Sequence, residues 1–202
     1  PRADISQVEK SINIRSFGGS FGYTVQELRA AQMANIALEQ RRAAAVRRAY
    51  EEKVEEVAMF GEPAVGLAGF FNNATVDVVA ADKWFTGTTA TGTTAQDMLE
   101  LMNYGVSAII NGSKMKEQPD TILMAYEDYN KVSTTRNSDS SDVTVLEYFL
   151  RTNPYIRNVE PINQLDADNS SLNTNRMVVY KRDPEKVQLH IPQPLELFPP
   201  QQ

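Results

Sequence analysis

The feature that most limits the fold is one long amphipathic segment from Leu38 to Phe60, closed by Gly61 where a helix C-terminus favours glycine. Val46, Tyr50, Val54, Val57 and Ala58 recur at three- and four-residue steps and form one apolar stripe. At about 1.5 Å per residue the segment predicts a rod roughly 35 Å long. Its charges run in an unfavourable order. Arg41, Arg42, Arg47 and Arg48 fill the first half, and Glu51, Glu52, Glu55 and Glu56 fill the second. The helix macrodipole prefers acids first and bases last. The internal pairs Arg47–Glu51 and Arg48–Glu52 also take the weaker base-then-acid orientation. A complementary surface outside the helix is the natural compensation, and these eight residues are the candidates to meet it.

The elements around this rod are mixed. Val8, Ile12 and Ile14 alternate with polar residues, which predicts a half-buried strand over Val8–Arg15. Gly18 and Gly19 then allow a bend before Thr24-Val25-Gln26-Glu27, a capping box opening a helix that stops near Asn35. A turn-rich connector covers Pro63–Asn73, and Thr75–Ala80 reads as a strand burying Val76, Val78 and Val79. Trp84–Thr94 holds two glycines and six threonines and is expected to be a mobile loop.

Thr94-Ala95-Gln96-Asp97 opens a second capped helix with Met98, Leu101, Met102, Gly105, Val106, Ile109 and Ile110 on its apolar face. Thr121–Ala125 is expected as a strand, Tyr126–Ser133 as a short helix and Thr134–Asp142 as a loop. Asp142 is expected to cap a helix carrying Val145, Leu146, Phe149 and Leu150, ended by Asn153-Pro154. Ile156–Pro161 is extended, Gln164–Asn175 is a polar loop, and Arg176–Lys181 and Lys186–Ile191 are strands around the turn Arg182–Glu185. With no regular strand–helix alternation, the class is α+β.

Composition removes most chemistry. The 202 residues carry a net charge of -6, which argues against a protein built to grip nucleic acid. There is no cysteine, hence no disulfide, thiolate metal site or cysteine nucleophile. His190 is the single histidine, and it alternates with Leu189 and Ile191 as a structural or surface residue. No apolar run approaches the roughly 18 residues of a membrane span. Glu51, Glu52, Glu55 and Glu56 offer a divalent cation seat in principle, but a solvated or interface face outweighs it. The glycines of Phe17–Gly22 lack both the Lys-Ser/Thr of a P-loop and the spacing of a dinucleotide fingerprint. Trp84, Tyr104 and Tyr126 read as core or interface aromatics. No catalytic constellation, cofactor site or metal site emerges.

The chain opens at Pro1-Arg2-Ala3-Asp4 without a methionine and ends in Phe198-Pro199-Pro200-Gln201-Gln202 directly after a strand-like stretch. The expectation is a piece of a longer chain, with a processed terminus as the alternative.

The run Ile14-Arg15-Ser16-Phe17-Gly18-Gly19-Ser20-Phe21-Gly22-Tyr23-Thr24-Val25-Gln26-Glu27-Leu28-Arg29-Ala30-Ala31 resembles a family of phage and prophage major capsid proteins. That family is related to the tailed-phage (Hong-Kong-type) capsid fold and to encapsulins. The likeness continues through Leu38–Ala44, Arg47–Phe60, Gly61 and Gly66–Asn73. It resumes at Pro119–Met124, Thr144–Leu150 and Arg176–Tyr180.

The resemblance implies a peripheral domain with a spine helix at 38–60, within residues 24–74. It implies the returning arm of an extended loop in 1–23, an axial domain over 75–175, and strands in 176–202 leading back to the peripheral domain. An N-terminal arm, half of the extended loop and a last strand are expected to be missing. The implied function is a non-enzymatic subunit of an icosahedral virion shell, assembled in the bacterial cytoplasm. Its implied partners are copies of itself in pentamers and hexamers, scaffold or portal proteins, and non-specifically packaged DNA. The alternatives are an encapsulin-like compartment shell and a metal-dependent enzyme using the acidic helix.

Overall fold

The computed structural model describes residues 13–81, 84–85, 94–168, 174–196 and 198. The chain divides into two compact units, one of Pro1–Val76 with His190–Gln202 and the other of Asp77–Leu189.

The first unit is built on two helices, α1 (Val25–Met33) and α2 (Leu38–Phe60). The Thr24 hydroxyl accepts from the Glu27 N–H while the Glu27 carboxylate accepts from the Thr24 N–H, the reciprocal cap read from the sequence. The chain leaves α1 through Ala34 and Asn35, the latter at a left-handed φ of 52° that asparagine tolerates. Helix α2 ends at Gly61, whose φ of 72° turns the chain into a two-residue strand, β1 (Gly61–Glu62). A single 3₁₀ turn at Pro63–Val65 leads into β2 (Leu67–Ala68), which pairs antiparallel with β1.

This small hairpin caps the long helix. The N–H groups of Phe70 and Phe71 donate to the carbonyls of Ala58 and Met59 at 2.9 and 2.8 Å. The Asn72 amide donates to the Phe60 carbonyl and its oxygen accepts from the Gly69 N–H at 2.7 Å. Three carbonyls without intrahelical partners are thereby satisfied. Phe71 lies beneath, 6% exposed, with ring contacts to Phe60 and Phe70.

The second unit has a conventional core. A three-stranded sheet runs in the order β4 (Asn158–Pro161), β3 (Thr121–Met124), β5 (Met177–Tyr180). Strand β3 is parallel to β4 and antiparallel to β5, and all four of its residues are buried. Helix α3 (Ala95–Gly112) buries Met98, Leu99, Met102 and Val106. They cluster with Ile122, Met124, Val132, Val145, Phe149 and Ile156. Helices α4 (Tyr126–Thr134) and α5 (Val145–Thr152) supply Val132 and the pair Val145 and Phe149. Each such side chain contributes about 1.5–3 kcal/mol by leaving water. Gly105 lets α3 approach β5 closely, since a Cβ there would sit 2.9 Å from Cγ2 of Val179.

Several expectations need correction. Residues 8–12 of the strand expected over Val8–Arg15 lie outside the described residues; Asn13–Arg15 form no strand, and Ile14 is 71% exposed. Thr75–Ala80 is not a strand either, and Val76, Val78 and Val79 are exposed rather than buried. Lys186–Ile191 likewise forms no strand, leaving Val187, Leu189 and Ile191 exposed. Alternation alone does not make a strand: a ladder partner is required, and the described residues place none beside these segments. The cap of α5 is Thr144, not Asp142, because the Thr144 hydroxyl stands at the position that accepts from the Glu147 N–H. Of the expected Trp84–Thr94 loop, residues 86–93 lie outside the described residues; Phe85 is buried and the Trp84 ring packs on it. Tyr104 and Tyr126 are exposed, so neither is a core aromatic.

Candidate subunit interface

Helix α2 is 23 residues long and has no buried residue. Val46, Tyr50, Val54, Val57 and Ala58 are each half-covered by the chain itself. The Phe17 ring lies 5.5 Å from that of Tyr50, and Arg47, Tyr50 and Glu51 share a shallow cleft with Ile191, Pro194 and Leu195. Arg15 reaches the Val65 carbonyl at 3.4 Å. Beyond these contacts the unit holds little apolar interior: Ala31 and Phe71 are its buried hydrophobic residues among those described. Met33, Val25 and Ile36 on and after α1 are 90%, 64% and 40% exposed.

Successive helical residues advance by about 100°, which sorts the eight charged residues into faces. Arg42 shares the inner stripe with Val46 and Tyr50 and is half-buried. It donates to the Gly22 carbonyl and to Oε1 of Glu27 at 3.0 Å, tying α2 to the cap of α1. The Thr24 N–H, with Arg42 behind it, holds the Glu27 carboxyl below the usual range, against the opposing effect of desolvation. Arg42 is therefore committed within the chain, and its four-residue step to Val46 is the signal that reveals this.

The other seven residues are exposed. Arg47 Nε bonds Glu51 at 3.1 Å. Lys53 bridges Glu56 at 3.0 Å and Glu62 at 3.3 Å, and these two hydrogen bonds raise the lysine pKa above its usual value. The expected Arg48–Glu52 pair does not form. Among the described residues Arg41, Arg48 and Glu52 have no ion-pair partner, and they lie near the centre of the outer face. Ala44, Ala45 and Ala49 lie between them, also exposed.

No three His, Cys, Asp or Glu side chains among the described residues are grouped to hold a metal ion. No described helix is long and apolar enough to cross a membrane.

A model of the family described as major capsid protein matches residues 1–202, the whole chain. The chain belongs to the major capsid protein family. It is thus a structural capsid protein and not an enzyme. Among solved structures, a chain from the capsid of Myoviridae phage XM1 matches with a TM-score of 0.61 at 17% identity. The match covers 79% of this chain and 53% of the phage XM1 chain, so this capsid chain spans about half the length of that one. At this identity the likeness carries the fold, a mixed helix-and-sheet capsid fold. No curated protein matches the sequence.

Proposed function

We propose that the chain is the shell subunit of a tailed-phage or prophage capsid, assembling with copies of itself into an icosahedral shell of pentamers and hexamers around DNA. The observation that carries this reading is the long helix without a buried residue, in a chain that matches the capsid family from end to end. A helix so exposed draws only part of the available packing energy from its own chain, and helical stability comes chiefly from packing an apolar face. Neighbouring subunits supply the missing cover in this reading. In this reading the peripheral domain includes 24–74 with its spine at 38–60, and the axial domain covers 75–175 together with β5, the strand that completes its sheet.

Arg41, Arg47, Arg48, Glu51, Glu52, Glu55 and Glu56 then meet neighbours across subunit boundaries, where charge sets partner choice and register more than affinity. A net charge of -6 leaves packaged DNA only non-specific contact. Assembly takes place in the bacterial cytoplasm, with scaffold or portal proteins as further partners.

The test is the protein content of particles purified from an induced lysate of the source strain. Peptides of this chain should dominate the mass spectrum of particles that protect DNA from nuclease. Particles containing the chain around protein cargo and no DNA would favour a compartment shell. Absence of the chain from such particles would overturn the reading.

A further inference from the structure

We infer that the outer face of α2 pairs antiparallel with the same face of a second copy about a twofold axis, Arg48 of each chain meeting Glu52 of the other. The inference deepens the shell-subunit reading and rests on it.

Arg41, Ala45, Arg48, Glu52 and Glu55 follow one another at steps of four, three, four and three residues. On a helix they fall within about 40° of one line. This line is opposite the stripe of Val46, Tyr50 and Val57, and all five residues are exposed. Arg48 and Glu52 stand one helical turn apart yet do not pair with each other, and no other described charge takes their place. An antiparallel copy centred at the level of residue 50 sets Arg48 against Glu52 and Glu52 against Arg48 in one operation. A parallel copy in register sets arginine on arginine and glutamate on glutamate. A parallel copy shifted by one turn satisfies only one of the two charges. A twofold contact is self-complementary by construction, which is the property this charge order has.

The same arrangement eases the conflict between the helix and its macrodipole, chiefly near the helix ends where that field is felt. In an antiparallel pair the glutamates of one helix lie beside the N-terminal half of the other, where negative charge is favourable, and the arginines lie beside its C-terminal half. Each helix carries the wrong charge order for itself and the right order for its neighbour. Ala45, and Ala44 and Ala49 beside it, keep the faces free of bulk so that two axes can approach at a normal packing distance.

The test uses the full-length protein and two reversals, Arg48→Glu and Glu52→Arg, each expressed alone and then co-expressed from separate genes. Both sites are exposed, and circular dichroism melts should match the wild type. Each single variant places like charges twice across the axis, so the yield of particles should fall about tenfold or more. Co-expression of the two single variants should restore particles containing both chains. The acid introduced by Arg48→Glu in one chain then meets the base introduced by Glu52→Arg in the other, and the native Glu52 of the first meets the native Arg48 of the second. Pairing within one chain gives no such rescue. Single variants that assemble normally, or a mixture that stays unassembled, would overturn the twofold contact while wild-type shells keep the parent reading intact. Wild-type protein that forms no shell at all would instead defeat the parent reading.

Discussion

Gly61 and Gly69 stand back to back across the hairpin that caps the long helix, each occupying the space where the other's Cβ would lie. A Cβ on Gly69 would be 2.2 Å from the Gly61 nitrogen, and one on Gly61 would be 2.2 Å from the Leu67 carbonyl and 2.6 Å from the Gly69 nitrogen. All three obstacles are backbone, which cannot swing aside. Gly61 also holds a φ of 72° that side-chain-bearing residues rarely adopt. Gly61→Ala and Gly69→Ala should therefore each destabilise the cap by about 2–4 kcal/mol, read by chemical denaturation. Because the two share one contact, the double variant should cost less than the sum. Additive losses would show that the contact is not shared.

Gly105 makes a second close approach, between α3 and the β5 residues Val179 and Met177. Alanine there gains about 1 kcal/mol of helix propensity and loses a comparable amount by crowding Val179, so Gly105→Ala should be near neutral. Gly105→Leu has no such balance and should cost about 1–3 kcal/mol or more by pushing the helix off the sheet. Thermal melts of the two variants separate propensity from packing.

The fully buried Asp128 accepts from the Trp84 indole N–H at 2.8 Å and from the Asn175 amide at 3.4 Å. Asp128→Leu removes the buried acceptor of the indole N–H and should destabilise the unit by about 1–3 kcal/mol. Asp128→Asn keeps an acceptor in place and should cost less. Trp84 is the chain's single tryptophan, so its emission should shift in the leucine variant and change little in the asparagine variant.

Glu117 bonds Lys186 at 2.6 Å and lies 3.8 Å from Lys181. The Lys186 hydrogen bond is the main cause that lowers the Glu117 pKa from its ordinary 4.5, and the same bond raises Lys186 above 10.5. A lowered carboxyl stabilises the fold fully above pH 4.5 and loses that contribution as pH falls through its folded-state value. A raised lysine stabilises fully below pH 10.5 and loses its contribution as pH rises through the folded-state value. The melting temperature should thus show a small plateau between these limits. Glu117→Gln should flatten both edges in part, and salt should shrink the difference because the pair is solvent-accessible.

Local signals are the legible part of this fold. Thr24 with Glu27 and Thr94 with Asp97 announce two helix starts because each cap lies within four residues of sequence, and Gly61 announces the end of α2 for the same reason. The buried strand Thr121–Met124 is legible from an apolar run behind Pro119-Asp120. Pairing is not legible. Thr75–Ala80 and Lys186–Ile191 alternate as well as any strand, but partners are chosen by distant chain and the described residues offer them none. At the candidate interface, the charge order of α2 is visible at once. The inward turn of Arg42 is hidden because its partners, Gly22 and Glu27, lie on another element, although its phase with Val46 points there. The missing Arg48–Glu52 pair is also beyond reach, since spacing permits a contact without enforcing it.

The most direct test is the mass of the full-length protein, expressed alone and measured by light scattering with negative-stain images of the same fraction. Closed shells of megadalton mass are the predicted result. A single stable monomer that stays monomeric when scaffold and portal proteins are co-expressed would contradict the account.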